Sequence, residues 1–390
     1  RDACSRLLYC RVSGWRWLVA ADIDNTNVSI GEVVASVAQA FPTAWAEPWD
    51  RVGLLAGDQD EPVHGVLVSL DPTPEVIARA HSLGANLLFT HHPAYLEAPQ
   101  RIVAGPGAAG LLHMALSHGI ALAAAHTNLD RAPAGAGVLL EVLGLPPGVP
   151  VERSVQSVAR IVTYVPESAA DHVRAAMVRA GAGRIGEYEG CSFTSAGLGR
   201  YVPGLASAPV IGTPGRTTET AEERVEMVCD PASVAGVVEN CRLAHPYEEP
   251  LITITDSSMG RGVARLGRVT DVEHGTLASL VARVSDRLKC TPRVWGQPDA
   301  KIDRVATATG SAGSLISDAI SSAADVLIAG EVRYHDALDA LARGLAIIEA
   351  GHDVTEWPLV PVLAGAIKKT PGINPGVVYV DDTVRRWWTP

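Results

Sequence analysis

LLFTHHPAYLE (residues 87–97) is an apolar run that ends at two adjacent histidines, His91 and His92, followed by Pro93. A short, continuous apolar run of this kind is typical of a strand that is buried on both faces of a parallel sheet. Functional side chains in such sheets collect beyond the carboxyl ends of the strands. The stretch therefore predicts both an α/β fold and a site at the end of this strand.

The segments around this stretch alternate between strand and helix patterns. VHGVLVSLD (63–71) predicts a strand, and TPEVIARAHSLG (73–84) predicts a helix with a proline in its first turn and a glycine at its end. AAGLLHMALSHG (108–119) predicts another helix, followed by the strand IALAAAHT (120–127). Regular alternation indicates βαβ units and a largely parallel sheet.

The domain organisation is predicted to be discontinuous. The proline-rich residues 143–152 mark a boundary, and residues 156–256 then show the β-α-β-β-α-β order of a ferredoxin-like α+β module. The first pattern returns at about residue 263. We therefore expect a discontinuous parallel or mixed-sheet α/β domain built from residues 26–150 and 263–390, with the module inserted between them. Residues 1–25, whose apolar run two arginines interrupt, are predicted to be an N-terminal extension.

Composition excludes several classes of protein. The chain has 390 residues, of which 47% are hydrophobic and 19% are charged, as expected for a globular protein with more than one core. A net charge of -11 disfavours nucleic acid as a partner. Six scattered cysteines without a CxxC pair argue against a disulfide scaffold or a thiolate zinc site, so a reducing cytoplasm is expected. No apolar run approaches the roughly 18 to 20 residues of a membrane-spanning helix.

Three predicted strands are followed by residue types that commonly bind metal ions. A parallel sheet would bring their carboxyl ends to one edge. Histidine and carboxylate together suit Zn, Fe, Mn or Co rather than Ca or an iron–sulfur cluster. The residues at these ends are His91 and His92, His126 with Asp130, and His352 with Glu356.

The spacing of these residues suits two ions. Adjacent residues of an extended segment point to opposite sides, so His91 and His92 could each hold a different ion. Asp130 could bridge two ions about 3.5 to 4 Å apart, and His352 could share a helical face with Glu356. The alternative is that each histidine is a hydrogen-bonded structural residue. Spacing alone leaves both interpretations open, because no motif here is as diagnostic as HExxH.

Glu331 and His335, four residues apart, follow another predicted strand. They could support the ligands or transfer protons. The alternative is a solvated first helical turn, in which an acid is favoured by the helix dipole.

The order of the motifs resembles that of GTP cyclohydrolase I type 2-like, or Nif-three-like, dinuclear metal-centre proteins. The resemblance covers nearly everything after the first 25 or so residues. It implies that His91, His92, Asp130, His352 and Glu356 are the metal ligands. The motifs that carry it are AEPWDRVGLLAGD, LLFTHHPAYLE, AHTNLDRAPAGAG, HPYEEP, VLIAGEVRYHDALDA and IEAGHDVTEW.

The resemblance also implies an assembly and cofactors. We expect two divalent metal ions per chain, a homohexamer arranged as a trimer of dimers, and a PII- or CutA-like insert over about residues 156–256. The sequence departs from the family pattern at Arg51, where asparagine is usual, and at Asp353, where an aromatic residue is common. Neither change removes a ligand.

Two functions are expected from these residues. The first is a metal-dependent hydrolase acting on a nucleotide-like substrate, with activated water as the nucleophile and His126 or His335 moving protons. In its GTP cyclohydrolase form, water would attack guanine C8. The second is a non-catalytic regulatory or scaffold hexamer whose inserted module binds an effector or partner. Open coordination positions favour catalysis, whereas the lack of an obvious phosphate-binding glycine-rich loop disfavours a committed GTP enzyme. The ligand set suits Zn, Fe and Mn alike.

Overall fold

The computed structural model of the protein describes residues 28–382, apart from Ser154, Glu187 and Arg261. The predicted N-terminal extension at residues 1–25 lies outside the described residues. Within the described part of the chain, no helix combines the length and the apolar character needed to cross a membrane.

The described residues form fifteen strands and twelve α-helices. The strands are β1 (Gly53–Ala56), β2 (Val66–Ser69), β3 (Leu87–Thr90), β4 (Ala121–Ala124), β5 (Val149–Pro150), β6 (Val155–Pro166), β7 (Phe193–Tyr201), β8 (Thr218–Cys229), β9 (Ile252–Gly260), β10 (Arg268–Thr276), β11 (Arg293–Trp295), β12 (Lys301–Thr307), β13 (Val326–Ala329), β14 (Ala346–Glu349) and β15 (Val378–Val380). The helices are α1 (Ile30–Ala40), α2 (Pro74–Ser82), α3 (Gly107–Ser117), α4 (Thr127–Arg131), α5 (Pro133–Leu143), α6 (Ala170–Arg179), α7 (Val234–Ala244), α8 (Leu277–Leu288), α9 (Ile316–Ser321), α10 (Tyr334–Ala342), α11 (His352–Glu356) and α12 (Leu359–Ile367).

The first sheet is mixed and has the strand order β1-β4-β3-β2-β15. All neighbours are parallel except β1, which runs antiparallel to β4. Successive side chains of its central strands enter two different cores: Leu87 and Phe89 pack towards α1 and α12, whereas Leu88 packs towards α2 and α3. This double burial explains the continuous apolar runs in the sequence.

The second sheet has the order β11-β14-β13-β12-β10-β5, with β12, β13 and β14 parallel and the outer strands antiparallel. Its two faces are also buried. Leu327 packs in a core with residues of α9 and α10, and Val326 and Ile328 pack in a core with residues of α8.

The third sheet is antiparallel and has the order β7-β8-β6-β9. Along the chain its elements follow the predicted order β6-α6-β7-β8-α7-β9. Val173 and Met177 of α6 and Val237 of α7 pack on one face of this sheet. Val155 at the start of β6 pairs with Gly260 at the end of β9, so the segment enters and leaves at one point.

The strand ends predicted to carry the site belong to two sheets rather than one. β3 and β4 lie in the first sheet, whereas β14 lies in the second. Helix α12, which follows α11, inserts Leu359 and Leu363 into the core under the first sheet. This packing draws α11 towards the ends of β3 and β4. Hydrophobic patterning identifies buried strands but not their hydrogen-bonded partners, so the division into two sheets was not predictable from it.

Candidate metal centre

His91 directly follows β3. Its ring is buried, and one ring nitrogen is hydrogen-bonded to the backbone. Its backbone N–H donates to Ser69 O at 3.1 Å, which extends the ladder to β2. Its Nδ1 lies 3.0 Å from Ala125 O, and because a carbonyl only accepts, Nδ1 carries the proton. Nε2 faces inward, towards the carboxylates of Asp130 and Glu356. It is buried and has no hydrogen-bond partner in the protein.

His92 is held from the opposite side. Its Nδ1 lies 2.8 Å from Asp71 Oδ1, and its Nε2 lies 2.9 Å from Glu356 Oε2. The ring centroids of His91 and His92 are 5.1 Å apart. The two imidazoles thus reach one cluster through different neighbours, as expected for adjacent residues at a strand end.

Helix α4 brings Asp130 to the cluster from the end of β4. Asp130 Oδ2 lies 3.6 Å from His91 Nε2, and its Oδ1 accepts a 2.6 Å hydrogen bond from Thr309, which follows β12. His126, which precedes α4, contacts both histidines of β3 with ring-centroid distances of 5.2 and 5.5 Å. Its Nδ1 lies 2.8 Å from Asp50 Oδ1.

Helix α11 brings His352 and Glu356 from the second sheet. His352 Nε2 lies 3.1 Å from Glu356 Oε1, one helical turn away, and His352 Nδ1 lies 3.1 Å from Glu331 Oε1. Glu356 is buried, and its Oε1 is also 3.8 Å from His91 Nε2. Glu356 therefore reaches ligands that come from both sheets.

Space for the Glu356 carboxylate depends on a glycine. A Cβ at Gly310 would lie 2.1 Å from Glu356 Oε1 and 3.2 Å from His352 Nε2, and the backbone φ of +58° also favours glycine there. The segment after β12 can therefore approach the cluster closely because Gly310 has no side chain.

The donor atoms fit metal ions. Three overlapping groups of side chains each place one ligand atom per residue within 4.8 Å of the others. The buried, unpartnered Nε2 of His91 is the atom that a metal would satisfy, and imidazole with carboxylate is a common ligand set for divalent transition metals. The three groups are His91 with His92 and His126, His92 with His352 and Glu356, and His91 with Asp130 and Glu356.

The protein without metal holds protons at these positions. Burial lowers the pKa of His92, but hydrogen bonds to Asp71 and Glu356 outweigh it and raise the pKa to about 10. The hydrogen bond to Glu356 raises the pKa of His352 to about 9. Burial raises the pKa of Glu356, but bonds to the histidines outweigh it and bring it well below its usual value. Metal binding would displace the histidine protons.

Asp50 supports the cluster from beneath His126. Its buried carboxylate accepts hydrogen bonds from the N–H of Thr127 at 3.0 Å and from the Thr127 hydroxyl at 2.5 Å, as well as contacting His126. Burial raises the pKa of Asp50, but these partners outweigh it and lower the pKa to about 2. Asp50 is therefore ionised, and the proton it contacts is fixed on His126 Nδ1.

The structure brings six of the eight residues that the sequence nominated into the cluster itself. A seventh, Glu331, contacts His352. The eighth, His335, is exposed on α10 with its ring against Tyr334, and it belongs to none of the three groups found among the described residues. The sequence interpretation missed Asp50, Asp71, Thr309 and Gly310. Asp71 lies two residues after the end of β2, so it had a strand-end signal similar to that of the nominated residues.

Comparisons with known proteins extend over most of the chain. The family model described as Duf34/NIF3 (NGG1p interacting factor 3) matches residues 28–382. A Mycobacterium tuberculosis protein named "GTP cyclohydrolase 1 type 2 homolog" is 33% identical over 342 residues, which cover 85% of this chain and 89% of the relative. A Bacillus subtilis protein of the same name is 34% identical over 331 residues, 84% of this chain and 88% of the relative. The crystal structure of a Bacillus cereus protein related to NIF3 matches with a TM-score of 0.60 and 29% identity, and the match covers 93% of this chain and 99% of that one.

Proposed function

This chain belongs to the Duf34/NIF3 family, as its motifs predicted, and on that premise we propose that it is a metal-dependent hydrolase acting on a nucleotide-like small molecule. The site is the histidine–carboxylate cluster between the two mixed sheets. The observation that carries the proposal is the buried Nε2 of His91, which faces two carboxylates without a hydrogen bond.

The proposed site holds two divalent ions, which could be Zn, Fe or Mn. One position is bounded by His91, Asp130 and Glu356, and the other by His92, His352 and Glu356. Glu356 belongs to both groups. We therefore propose that Glu356, rather than Asp130, is the carboxylate common to both metal positions. Asp130 Oδ1 accepts a hydrogen bond from the Thr309 hydroxyl.

The surrounding residues suit proton transfer. A bound divalent cation would supply Lewis-acid polarisation of the substrate and activation of water near neutral pH. His126 holds a proton on Nδ1 through Asp50, and one of its ring nitrogens lies within 4.8 Å of the ligand atoms of His91 and His92. His126 Nε2 would accept a proton from the attacking water and return it to the leaving group. Exposed His335 is a weaker candidate for this role.

The nucleotide-like substrate is proposed from the name of the relatives, "GTP cyclohydrolase 1 type 2 homolog". The proposal also includes a homohexamer, arranged as a trimer of dimers, and a PII- or CutA-like role for the module of β6 to β9. The order β7-β8-β6-β9, with two helices on one face, supports a ferredoxin-like module of that kind.

The test compares the metal-loaded protein with its Asp130→Ala variant. GTP, a panel of phosphoesters and a panel of cyclic amides are the substrates, and elemental analysis gives the metal content. We expect turnover of at least one substrate class well above the background of the variant. Turnover of every substrate at the background rate would contradict the hydrolase, and fewer than about one ion per chain would contradict the two-ion site.

A scaffold or regulatory function is the second candidate. The observation that favours it is that the ligands come from both sheets, so that bound ions would tie the sheets together. If the oligomer depends on metal while no substrate turns over, this function replaces the hydrolase.

A further inference from the structure

We infer that Trp49 and Arg51 form the substrate subsite at the edge of this centre, and that the ligand is a planar heterocycle carrying an anionic group. In this subsite the Trp49 indole stacks on the ring, and the Arg51 guanidinium pairs with the anion. The inference rests on the proposed function and names the substrate class for the same site.

The loop that carries these residues is fixed to the metal centre. Asp50, between them, contacts His126 and Thr127 through its buried carboxylate. The N–H of Glu47 donates to the Thr127 hydroxyl at 2.9 Å, and the N–H of Asp50 donates to Glu47 O at 3.0 Å. The positions of Trp49 and Arg51 relative to His126 are thus set in advance, which reduces the entropy lost when a ligand binds.

Trp49 is an exposed aromatic residue beside a functional histidine. Its side chain is 52% exposed, yet its ring lies 5.9 Å from the His126 ring in an edge-on arrangement, with 74° between the planes. An exposed tryptophan on an anchored loop presents a rigid aromatic surface to solvent. A planar ring stacked there would lie next to His126, the proton-transferring residue of the proposed mechanism.

Arg51 adds a cation beside this surface. Its Nη1 donates to Asp50 O at 2.9 Å and to Trp49 O at 3.4 Å, which folds the guanidinium back along the loop. A guanidinium has five N–H donors in a planar fork, so donors remain for a phosphate or carboxylate. The chain has a net charge of -11, so a local cation such as Arg51 would offset part of the repulsion of an anionic ligand.

Binding measurements test this subsite directly. Guanosine 5′-monophosphate, guanosine and ribose 5-phosphate are titrated by calorimetry into metal-loaded protein and into protein stripped of metal. The variants are Trp49→Leu and Arg51→Asn. Their matched controls are Tyr188→Leu and Arg184→Asn on the module of β6 to β9, where Tyr188 is 74% exposed and Arg184 is also an exposed arginine.

Each variant should change a different part of recognition. Trp49→Leu should weaken binding of the nucleotide and of the nucleoside by about tenfold, because both lose the stacking surface. Arg51→Asn should weaken nucleotide binding by about fivefold and leave guanosine within about twofold, because only the anion loses a partner. The two control variants should match the wild-type protein within about twofold.

Several results would overturn the inference. One is the absence of guanosine monophosphate binding to the wild-type protein at about 10 mM, and another is unchanged binding in Trp49→Leu. A changed oligomeric state of Trp49→Leu in light scattering would assign Trp49 to a contact between chains instead. Nucleotide binding that depends on Trp49 without any turnover would support the subsite and contradict the hydrolase. Turnover with a KM that neither variant changes would contradict the subsite alone.

Discussion

At the residue scale, the site depends on the close approach of the Gly310 backbone to Glu356 as well as on the clustered histidines and carboxylates. Gly310 faces Glu356, and the N–H of Gly310 donates to the hydroxyl of Thr355 at 3.1 Å. A side chain at position 310 would occupy the place of the carboxylate that joins the two halves of the cluster.

Gly310→Ala should therefore weaken metal binding. The new Cβ would lie 2.1 Å from Glu356 Oε1, and alanine disfavours the φ of +58°. We expect metal affinity to fall about tenfold or more, measured by competition with a chromogenic chelator. Gly313→Ala is the control, because its Cβ would meet Asp336 only at 3.5 Å. Equal affinity of the two variants would show that Glu356 can move aside.

Metal binding should release protons near neutral pH. The pKa values of about 10 for His92 and about 9 for His352 lie above the ordinary histidine value of 6.5, so both rings are protonated at pH 7.5 without metal. A metal binds the neutral ring, so His92 and His352 together should release up to about two protons, and their release should disappear as the pH rises through 9 and 10. Calorimetry in two buffers with different ionisation enthalpies measures the number. Release of no protons at pH 7.5 would contradict the assignment.

The same pKa shifts give the sign of a stability change. A histidine whose pKa is raised in the folded state contributes stability that is fully present below pH 6.5 and is lost as the pH rises through the folded value of 9 to 10. The metal-free protein should therefore lose this contribution on the alkaline side, and urea unfolding at pH 6 and pH 10 measures it. His352→Gln should show a smaller decrease over this range, because one of the two titrating rings is gone.

Sequence reasoning identified side chains of the cluster but not the residues that support them. His91, His92 and Asp130 follow apolar strands, and this signal is local in the sequence. Asp50 and Gly310 act through contacts with residues 76 and 46 positions away, His126 and Glu356. Only the three-dimensional arrangement identifies such residues.

At the element scale, the short helix α11 is held by one hydroxyl. Thr355 Oγ1 accepts the N–H of Gly310 and lies 3.0 Å from the carbonyl oxygens of Gly351 and His352. Thr355 is fully buried, so this hydroxyl has no access to water. It joins the segment after β12 to the helix that carries His352 and Glu356.

Thr355→Val should destabilise the metal-free protein by about 1 to 3 kcal/mol. The change keeps the shape but leaves the buried N–H of Gly310 without an acceptor. Urea unfolding measures the difference. Thr355→Ser retains the hydroxyl and should lose less, because only a methyl group is removed. Equal stability of the two variants would mean that the hydroxyl does not hold the helix.

Local sequence signals predicted the elements of both halves. Thr73 caps α2, Pro74 lies in its first turn, and Gly84 follows its end in a left-handed conformation, as the pattern indicated. The short strands β5 and β15 had no comparable signal. Strands of two or three residues are defined by their partners in the sheet rather than by their own periodicity.

At the scale of the whole molecule, the module of β6 to β9 enters and leaves the chain at adjacent positions. Val155 pairs with Gly260, so replacing residues 155–260 with a short glycine–serine linker should leave both mixed sheets connected. We expect this variant to bind the same number of ions per chain, because the three candidate ligand groups among the described residues lie outside the module. Elemental analysis and circular dichroism measure the outcome. A folded variant without metal would show that the module is needed for the site.

The division into two sheets was the main feature that the sequence did not predict. In the sequence, Leu359 and Leu363 of α12 indicate only an apolar helix face. They follow the strands of the second sheet in the chain, but they pack under the first sheet. The resulting position of α11 depends on contacts between residues far apart in sequence, and no local pattern encodes such contacts.

The strand orders of the two mixed sheets indicate an internal duplication. β1-β4-β3-β2 and β11-β14-β13-β12 share the same order and directions, and each series is followed by a five-residue helix, α4 or α11. His126 with Asp130 and His352 with Glu356, each pair four residues apart, lie in or next to these two helices. The copies have diverged where the third strand of each series ends: His91 and His92 follow β3, whereas Gly330 and Glu331 follow β13. The first copy thus presents two imidazoles at this position, and the second presents an acid, Glu331, whose carboxylate lies 3.1 Å from His352 Nδ1.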